Sequence, residues 1–265
     1  VNDPSGTVDL QAELALAHRL ADAAAAEALP RYQTRAFTVS RKTDRSVVTE
    51  ADRHAEAAVA GLLRTERPHH ALLGEEYGRQ GDPTSPWCWI VDPIDGTSNF
   101  VRGIPVWATL VALVHADLGP QVGVVTAPAW GRRWWATRGG GAFVDGHRIE
   151  VSTVDTLADA QVCVTFNDGW DRLGLTPALV DLQTNAGRAR GFGDFWQHML
   201  VAEGAVDLAV DAVGVQPYDL AALAVIVEEA GGTFTDRHGH HRLDSGTAVS
   251  SNGLLHHEAL RRLAD

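Results

Sequence analysis

Cysteine and methionine are nearly missing from this chain of 265 residues, with two of the first and one of the second. Cys88 and Cys163 are too few and too far apart for a disulfide framework or a thiolate zinc site, so both are expected as small buried residues. Basic residues are also short, 22 against 34 acidic, for a formal net charge of -12. That balance argues against a nucleic-acid partner or an anionic membrane surface. If the substrate is an anion, a metal must reverse the local field. No apolar run reaches the roughly 18 residues of a membrane span, and the opening Val1-Asn2-Asp3-Pro4-Ser5 lacks the basic and apolar regions of a signal peptide. A soluble cytoplasmic protein is therefore expected. There is no internal repeat and no low-complexity linker.

What is present suits an ordinary globular protein: 45% hydrophobic and 21% charged residues, enough for one large domain or two small ones. Twelve histidines are numerous, but His69 with His70, His240 with His241 and His256 with His257 are adjacent pairs whose side chains diverge, so solvated histidines are expected rather than a metal cluster. Residues 8–29 carry leucine and alanine at helical spacing, and Pro30 is expected to end that helix. Residues 31–46 read as a basic hairpin or loop, either a solvated connection or a cover for a substrate. A second helix runs to about Arg67, with Asp52 near its start, where an acid ordinarily caps the helix. A short strand at 71–73 then enters Gly74-Glu75-Glu76-Tyr77-Gly78, an acidic turn.

Hairpin strands are expected from 105 to 151, and the triple glycine 139–141 reads as a turn because it lacks the Lys and Ser or Thr of a nucleotide loop. From about residue 150 strands and helices alternate, which divides the chain into halves 1–149 and 150–265. Residues 173–185 read as helix, 188–192 as strand, and 194 onward as helix. Asp219 opens a helix from Leu220 to Ala230, closed by Gly231-Gly232.

The stretch Trp87-Cys88-Trp89-Ile90-Val91-Asp92-Pro93-Ile94-Asp95-Gly96-Thr97 is the most informative. Its apolar part reads as a buried strand that stops at Pro93, leaving Asp92 and Asp95 free to point into one cleft. Thr97, Ser98 and Asn99 are plausible first residues of a short helix whose free N–H groups favour an anion. Phosphate and two carboxylates repel unless divalent cations lie between them, the arrangement a metal-assisted phosphatase needs. A plain turn uses the same residue types, and the stretch alone does not decide between them.

Four motifs in order do decide: Val48-Thr49-Glu50-Ala51-Asp52, Gly74-Glu75-Glu76, the stretch from Trp89 to Thr97, and Tyr218-Asp219-Leu220-Ala221-Ala222. With them the chain resembles the inositol monophosphatase-like superfamily of Mg2+-dependent phosphatases. Asn99 to Pro105, Arg132-Arg133-Trp134-Trp135, Gly193-Asp194-Phe195 and Ala202 to Asp207 most resemble actinobacterial histidinol-phosphate phosphatases. Two departures stand out. Tyr218 replaces a usual Trp after Gln216-Pro217, and the acid expected shortly before that motif is Asp211, with Ala212 in its place.

The resemblance implies an α/β (α+β) fold, a layered αβαβα sandwich of the inositol monophosphatase and fructose-1,6-bisphosphatase type. It implies that Glu75, Asp92 and the Ile94 carbonyl hold one Mg2+, that Asp92, Asp95 and Asp219 hold a second, and that a third binds weakly near Glu75. Glu75 is thus both ligand and part of the catalytic set. Asp52 and Thr97, supported by Thr49, would activate a water that attacks phosphorus directly. The N–H groups of Gly96 and Thr97 would bind phosphate. Asp95, Asp194, Asp219 and either Arg190 or Asp211 would contact the alcohol of a small phosphate ester. Histidinol phosphate is the first expectation, with inositol, cyclitol or sugar phosphates as alternatives and a metal-binding regulatory protein as the non-enzyme reading. Inhibition by Li+ and a homodimer are also implied.

Overall fold

The structure is a computed structural model describing residues 8–42, 46–211 and 213–264. Helix α1 (Leu10–Thr34) starts at Asp9, whose side chain accepts the Gln11 N–H, and buries Leu16, Ala17, Leu20, Ala24 and Ala28. Pro30 does not end it. The helix continues to Thr34 and closes at Arg35, φ 57°. Tertiary contacts hold the turn beyond the missing donor: Tyr32 packs on Phe100 and Trp107 and donates its hydroxyl to Gly103 O at 2.8 Å. Strands β1 (Val39–Arg41) and β2 (Val47–Thr49) form an antiparallel hairpin. The reading of the 31–46 segment as a cover falls partly on residues 43–45, which lie outside the described residues.

Next come α2 (Glu50–Glu66), β3 (Ala71–Gly74), β4 (Gly78–Gly81), β5 (Trp87–Asp95), α3 (Thr97–Arg102), β6 (Ala108–His115), β7 (Gly119–Ala127), β8 (Arg132–Thr137), β9 (Gly141–Val144) and β10 (His147–Ile149). Eight strands join in one sheet, in the order β10-β9-β8-β7-β6-β5-β3-β4. Strand β5 does not stop at Pro93. It runs on to Asp95 with a register shift between Asp92 and Asp95, and Thr109 Oγ1 donates to Pro93 O at 2.8 Å. The irregularity matters for the site, because residues three apart on a regular strand face opposite sides.

The second half supplies β11 (Gln161–Val164), α4 (Asp168–Arg172), α5 (Thr176–Asn185), β12 (Arg188–Arg190), α6 (Asp194–Ala202), β13 (Leu208–Asp211), α7 (Pro217–Glu229), β14 (Thr233–Thr235), β15 (Ala248–Ser251) and α8 (His256–Leu263). Its sheet has the order β12-β11-β13-β15-β14. The helix expected over 173–185 begins at Thr176, after Gly174 with φ 70°, and has Pro177 in its first turn.

Three hydrophobic clusters define five layers. Leu16, Leu20, Val59 and Leu63 of α1 and α2 pack on Trp89, Val91, Leu113 and Val124 of the larger sheet. Phe195, Met199, Ala222 and Val225 of α6 and α7 lie between Leu110, Val125 and Trp134 on one side and Ala209 and Ala248 on the other. Leu179, Leu182 and Leu263 of α5 and α8 cover Val162, Leu208 and Val249. This is the αβαβα sandwich.

Helix α7 lies close on the larger sheet because β7 carries glycine at the crossing. A Cβ at Gly123 would sit 2.7 Å from Ala222 O and 3.1 Å from Ala222 Cα. Gly123→Ala is therefore expected to destabilise the protein by about 2 kcal/mol through overpacking. Denaturant unfolding checks this, and a loss below about 0.5 kcal/mol would mean that α7 yields without cost.

The triple glycine is a turn: Gly139 and Gly141 donate their N–H groups to Glu229 at 2.9 Å each. Cys163 is buried, Cys88 is half-buried, and neither forms a disulfide. Of the histidine pairs, His69, His240, His241 and His257 are exposed as expected. His70 and His256 are not simply solvated. His70 Nδ1 accepts from Trp89 Nε1 at 3.2 Å, and His256 lies buried between Thr235 and Ser251 hydroxyls at 2.8 and 3.0 Å.

Candidate active site

Two acids reach the cleft by the same local device. In α2 the N-cap is Thr49 and Asp52 is the third helical residue. Asp52 Oδ2 accepts the Thr49 N–H at 2.8 Å and the Thr49 hydroxyl at 2.6 Å, closing a capping box. In α7 the N-cap is Gln216, and Asp219 Oδ2 accepts the Gln216 N–H at 2.7 Å. Asp219 is thus the third residue of its helix, not the residue that opens it. Each carboxylate spends one oxygen on the cap and keeps the other for the cleft.

The end of β5 brings the rest. Asp92 Oδ1 accepts the Ile94 N–H at 2.9 Å, and Asp95 Oδ2 accepts the Phe195 N–H at 2.7 Å, tying β5 to the start of α6. Thr97 Oγ1 lies 2.9 Å from Ile94 O and 3.1 Å from Asp52 Oδ1. Gly96 takes φ 82°, where a Cβ would also approach Val106 O to 2.9 Å. It begins α3 without a side-chain cap. Carboxylate oxygens of Asp92, Asp95 and Asp219 lie within 4.8 Å of one another.

The acidic turn after β3 is held in place. Buried Glu56 of α2 accepts the N–H groups of Glu76 and Tyr77 at 2.7 and 3.0 Å. Lys42, the only lysine in the chain, reaches from the β1–β2 hairpin to Glu75 at 2.7 Å and Glu76 at 2.6 Å. Burial alone would depress the Lys42 ammonium, yet these two carboxylates hold it above its ordinary range. The turn is therefore an ion-paired wall of the cleft and not a solvated loop.

The remaining residues differ in outcome. Asp194, φ 49°, receives Asn99 Nδ2 at 2.8 Å. Asp211, at the end of β13, meets His198 Nε2 at 2.8 Å; Ala212 lies outside the described residues. Asp95, Asp194, Asp211 and Asp219 share the lining of one cavity of about 270 Å³. Arg190 stands apart: it is exposed, its Nη1 donates to Ala189 O at 2.6 Å, and it is not among the residues lining that cavity. Tyr218 is close enough that burial, Glu75, Asp219 and Asp92 together raise its phenol. The side chains of His198, Lys42 and Glu56 are not among the site residues expected from the sequence, and Asn99 is expected there only as a helix-start residue. Only Asn99, inside a motif stretch, and Lys42, inside the basic segment, carried any signal.

The electrostatics fit a divalent cation. Burial raises Asp52 to about 6 despite its Thr49 hydrogen bonds, and burial, with the charge of Glu75 among its neighbours, raises Asp219 to about 7. Asp92 and Asp95 are raised well above the carboxylate range by burial and then by neighbouring acids, Glu75 first for Asp92 and Asp194 first for Asp95. The Asp194 residue reaches the surface, but its carboxyl is walled by protein atoms; that burial and Asp211 raise it to about 6 against the Asn99 hydrogen bond. An all-oxygen donor set with surplus negative charge is what Mg2+ prefers.

A stability prediction follows from these shifts. In an unfolded chain these carboxyls titrate near their ordinary value of about 4. Between there and about 7 the folded metal-free protein holds more protons, so their contribution is full at low pH and is lost as pH rises. The neutral His70 and His256, held down to about 4 mainly by burial, contribute with the opposite sign up to about 6.5. A divalent cation such as Mg2+, if held by these carboxylates, would act on them and not on the two histidines. Its stabilisation is expected to be small at pH 5 and to grow through pH 6 to 7, adding more than about 5 °C to the melting temperature at saturation. A Mg2+ effect independent of pH would refute the carboxylate assignment.

The profile of the inositol monophosphatase family matches residues 9–265. A histidinol-phosphatase from Streptomyces coelicolor is 47% identical over 256 residues, covering 94% of this chain and 95% of that protein. A histidinol-phosphatase from Mycobacterium tuberculosis is also 47% identical over 256 residues, covering 95% of this chain and 97% of its own. Among solved structures, the extragenic suppressor protein suhB from Bartonella henselae superposes with a TM-score of 0.88 at 28% identity, covering 96% of this chain and 99% of the other.

Proposed function

The chain belongs to the inositol monophosphatase family and is a phosphatase; from that premise we propose that it hydrolyses histidinol phosphate, using Mg2+ held by the carboxylates at the end of β5. The observation that carries this reading is the convergence of Asp92, Asp95 and Asp219 within 4.8 Å beside a cavity whose other walls include Asp194 and Asp211. The first three suit metal and phosphate, and the last two suit a cationic alcohol.

Glu75, Asp92 and the Ile94 carbonyl would hold one Mg2+, Asp92, Asp95 and Asp219 a second, and Glu75 a weaker third. Bound Mg2+ supplies positive charge to the phosphoryl oxygens and makes water a stronger nucleophile at neutral pH. The residues do the rest. The uncapped N–H groups of Gly96 and Thr97 hold phosphoryl oxygens. Thr97 Oγ1, 3.1 Å from Asp52 Oδ1, aligns the attacking water, and Asp52 takes its proton. As the new P–O bond forms, the ester P–O bond breaks, the leaving alkoxide takes a proton from solvent water, and Asp52 later returns its proton to solvent. No covalent phosphoenzyme is needed.

This reading puts the protein in histidine biosynthesis, in the cytoplasm and as a homodimer; no helix among the described residues is long and apolar enough to cross a membrane. A second reading is an inositol, cyclitol or sugar phosphate phosphatase inhibited by Li+, favoured by Tyr218 in place of the usual Trp and by carboxylates that also accept sugar hydroxyls. Phosphate release from histidinol phosphate, inositol phosphate and several sugar phosphates, each with and without Mg2+ and Li+, separates the two. Fastest Mg2+-dependent release from histidinol phosphate is expected. Preference for a neutral polyol phosphate would select the second reading, and silence across the panel would favour a metal-binding regulatory protein.

A further inference from the structure

The cavity beside the metal-ligand cluster contains a buried histidine whose position serves neither the cap network nor the metal set. His198, on α6, is 1% exposed. Its Nε2 lies 2.8 Å from Asp211 Oδ2, and its Nδ1 lies 2.7 Å from the hydroxyl of Ser250, which is 0% exposed on β15. Its ring packs against Phe234 at 5.5 Å. Three separate elements, α6, β13 and β15, thus meet at one imidazole.

An ionised Asp211 can only accept, so Nε2 carries a hydrogen and donates it. In the neutral ring Nδ1 then accepts from the Ser250 hydroxyl, and in the charged ring it donates to that oxygen; the Nε2 bond is the same in both. One oxygen of Asp211 is fixed in this way. No donor among the described residues reaches the other, Oδ1, on a side chain that is 21% exposed at the cavity.

The cavity walls also lack compensating charge. They carry Asp95, Asp194, Asp211 and Asp219, with no lysine or arginine among the lining residues. Asp95 and Asp219 belong to the metal cluster. Asp194 is held by Asn99, and Asp211 by His198. A neutral polyol would leave two carboxylates without a counter-charge in a narrow space, whereas an ammonium or imidazolium would satisfy them.

We infer that His198 is a positioning residue for substrate selection: through Ser250 on one side and Asp211 on the other, it fixes a carboxylate that recognises the cationic group of an amino-alcohol phosphate. The inference rests on the histidinol phosphate reading above and adds to it the residue that sets the preference. His198 itself takes no part in bond breaking, so its loss acts on substrate affinity and not on the chemical step.

The test is steady-state kinetics of the Mg2+-loaded enzyme on histidinol phosphate and on glycerol phosphate, a neutral comparison. His198→Phe keeps a ring of similar size and removes both hydrogen bonds; His198→Gln keeps an N–H donor near the Nε2 position. His198→Phe is expected to raise KM for histidinol phosphate by about tenfold or more, with kcat changed less than about threefold and little change in KM for glycerol phosphate. His198→Gln is expected to recover most of the loss, and Asp211→Asn to remove the preference with the fold kept. If His198→Phe does not fold, the Gln and Asn variants decide. Equal effects of Phe and Gln, parallel losses on both substrates, or an unchanged preference in Asp211→Asn would overturn the inference. A wild-type enzyme with no preference for histidinol phosphate refutes the substrate reading itself. A wild-type preference that survives in folded His198→Phe refutes the inference alone.

Discussion

Asp92→Asn is expected to lose about a thousandfold in kcat with the fold retained. Asp92 is buried on β5, and its Oδ1 accepts the Ile94 N–H at 2.9 Å; an asparagine carbonyl can accept the same bond, so the local turn survives. The charge does not. Asp92 is the carboxylate that both proposed cations share, and removing one partner of a buried charge interaction costs about 3–5 kcal/mol. At about 1.4 kcal/mol per tenfold that is a hundredfold to a thousandfold or more in rate. Steady-state turnover with an unfolding curve for each protein checks it. Retention of more than about a tenth of the wild-type rate would sink the metal assignment.

Asp52→Asn should come next in size, with kcat/KM reduced by about a hundredfold, the lower part of the range for loss of a general base. Its consequence is visible in pH dependence as well as in rate. Burial sets the Asp52 carboxyl at about 6 in the metal-free protein, and bound cations move it lower. A base must be ionised, so at Mg2+ concentrations that keep the metal bound at each pH wild-type activity is expected to fall as the Asp52 carboxylate is protonated, and the variant should lose this acid limb. Thr49 can still donate to an amide oxygen in place of Asp52 Oδ2, which keeps the α2 cap. An unchanged acid limb in the variant would assign the proton to another group.

The parts of the site that were legible in the sequence are those built locally. Asp92 to Thr97 is one contiguous stretch, the end of β5 and the start of α3, and Asp52 and Asp219 each sit three residues after their caps, so type and spacing nearly determine their placement. The layered fold was legible because the motif order matched a family. Errors arose where tertiary contacts outweighed a local rule. Pro30 stays inside α1 because Tyr32 is anchored on Phe100, Trp107 and Gly103, and Pro93 stays inside β5 because a register shift absorbs it. His198 was invisible for another reason. Its partners, Ser250 and Asp211, are 52 and 13 residues away, and no periodicity records such a meeting. Arg190, the alternative to Asp211 as a contact to the alcohol, lies on edge strand β12 and is not among the residues lining the cavity, and nothing in its local sequence records that placement.

Hydrolysis of histidinol phosphate in water enriched in oxygen-18, with saturating Mg2+ and with a chelator, distinguishes attack of water at phosphorus from attack at carbon and shows whether the reaction needs the metal. One solvent oxygen is expected in each phosphate released, none in histidinol, and no turnover once the metal is removed. Label in histidinol, or turnover undiminished by the chelator, would contradict metal-assisted attack at phosphorus.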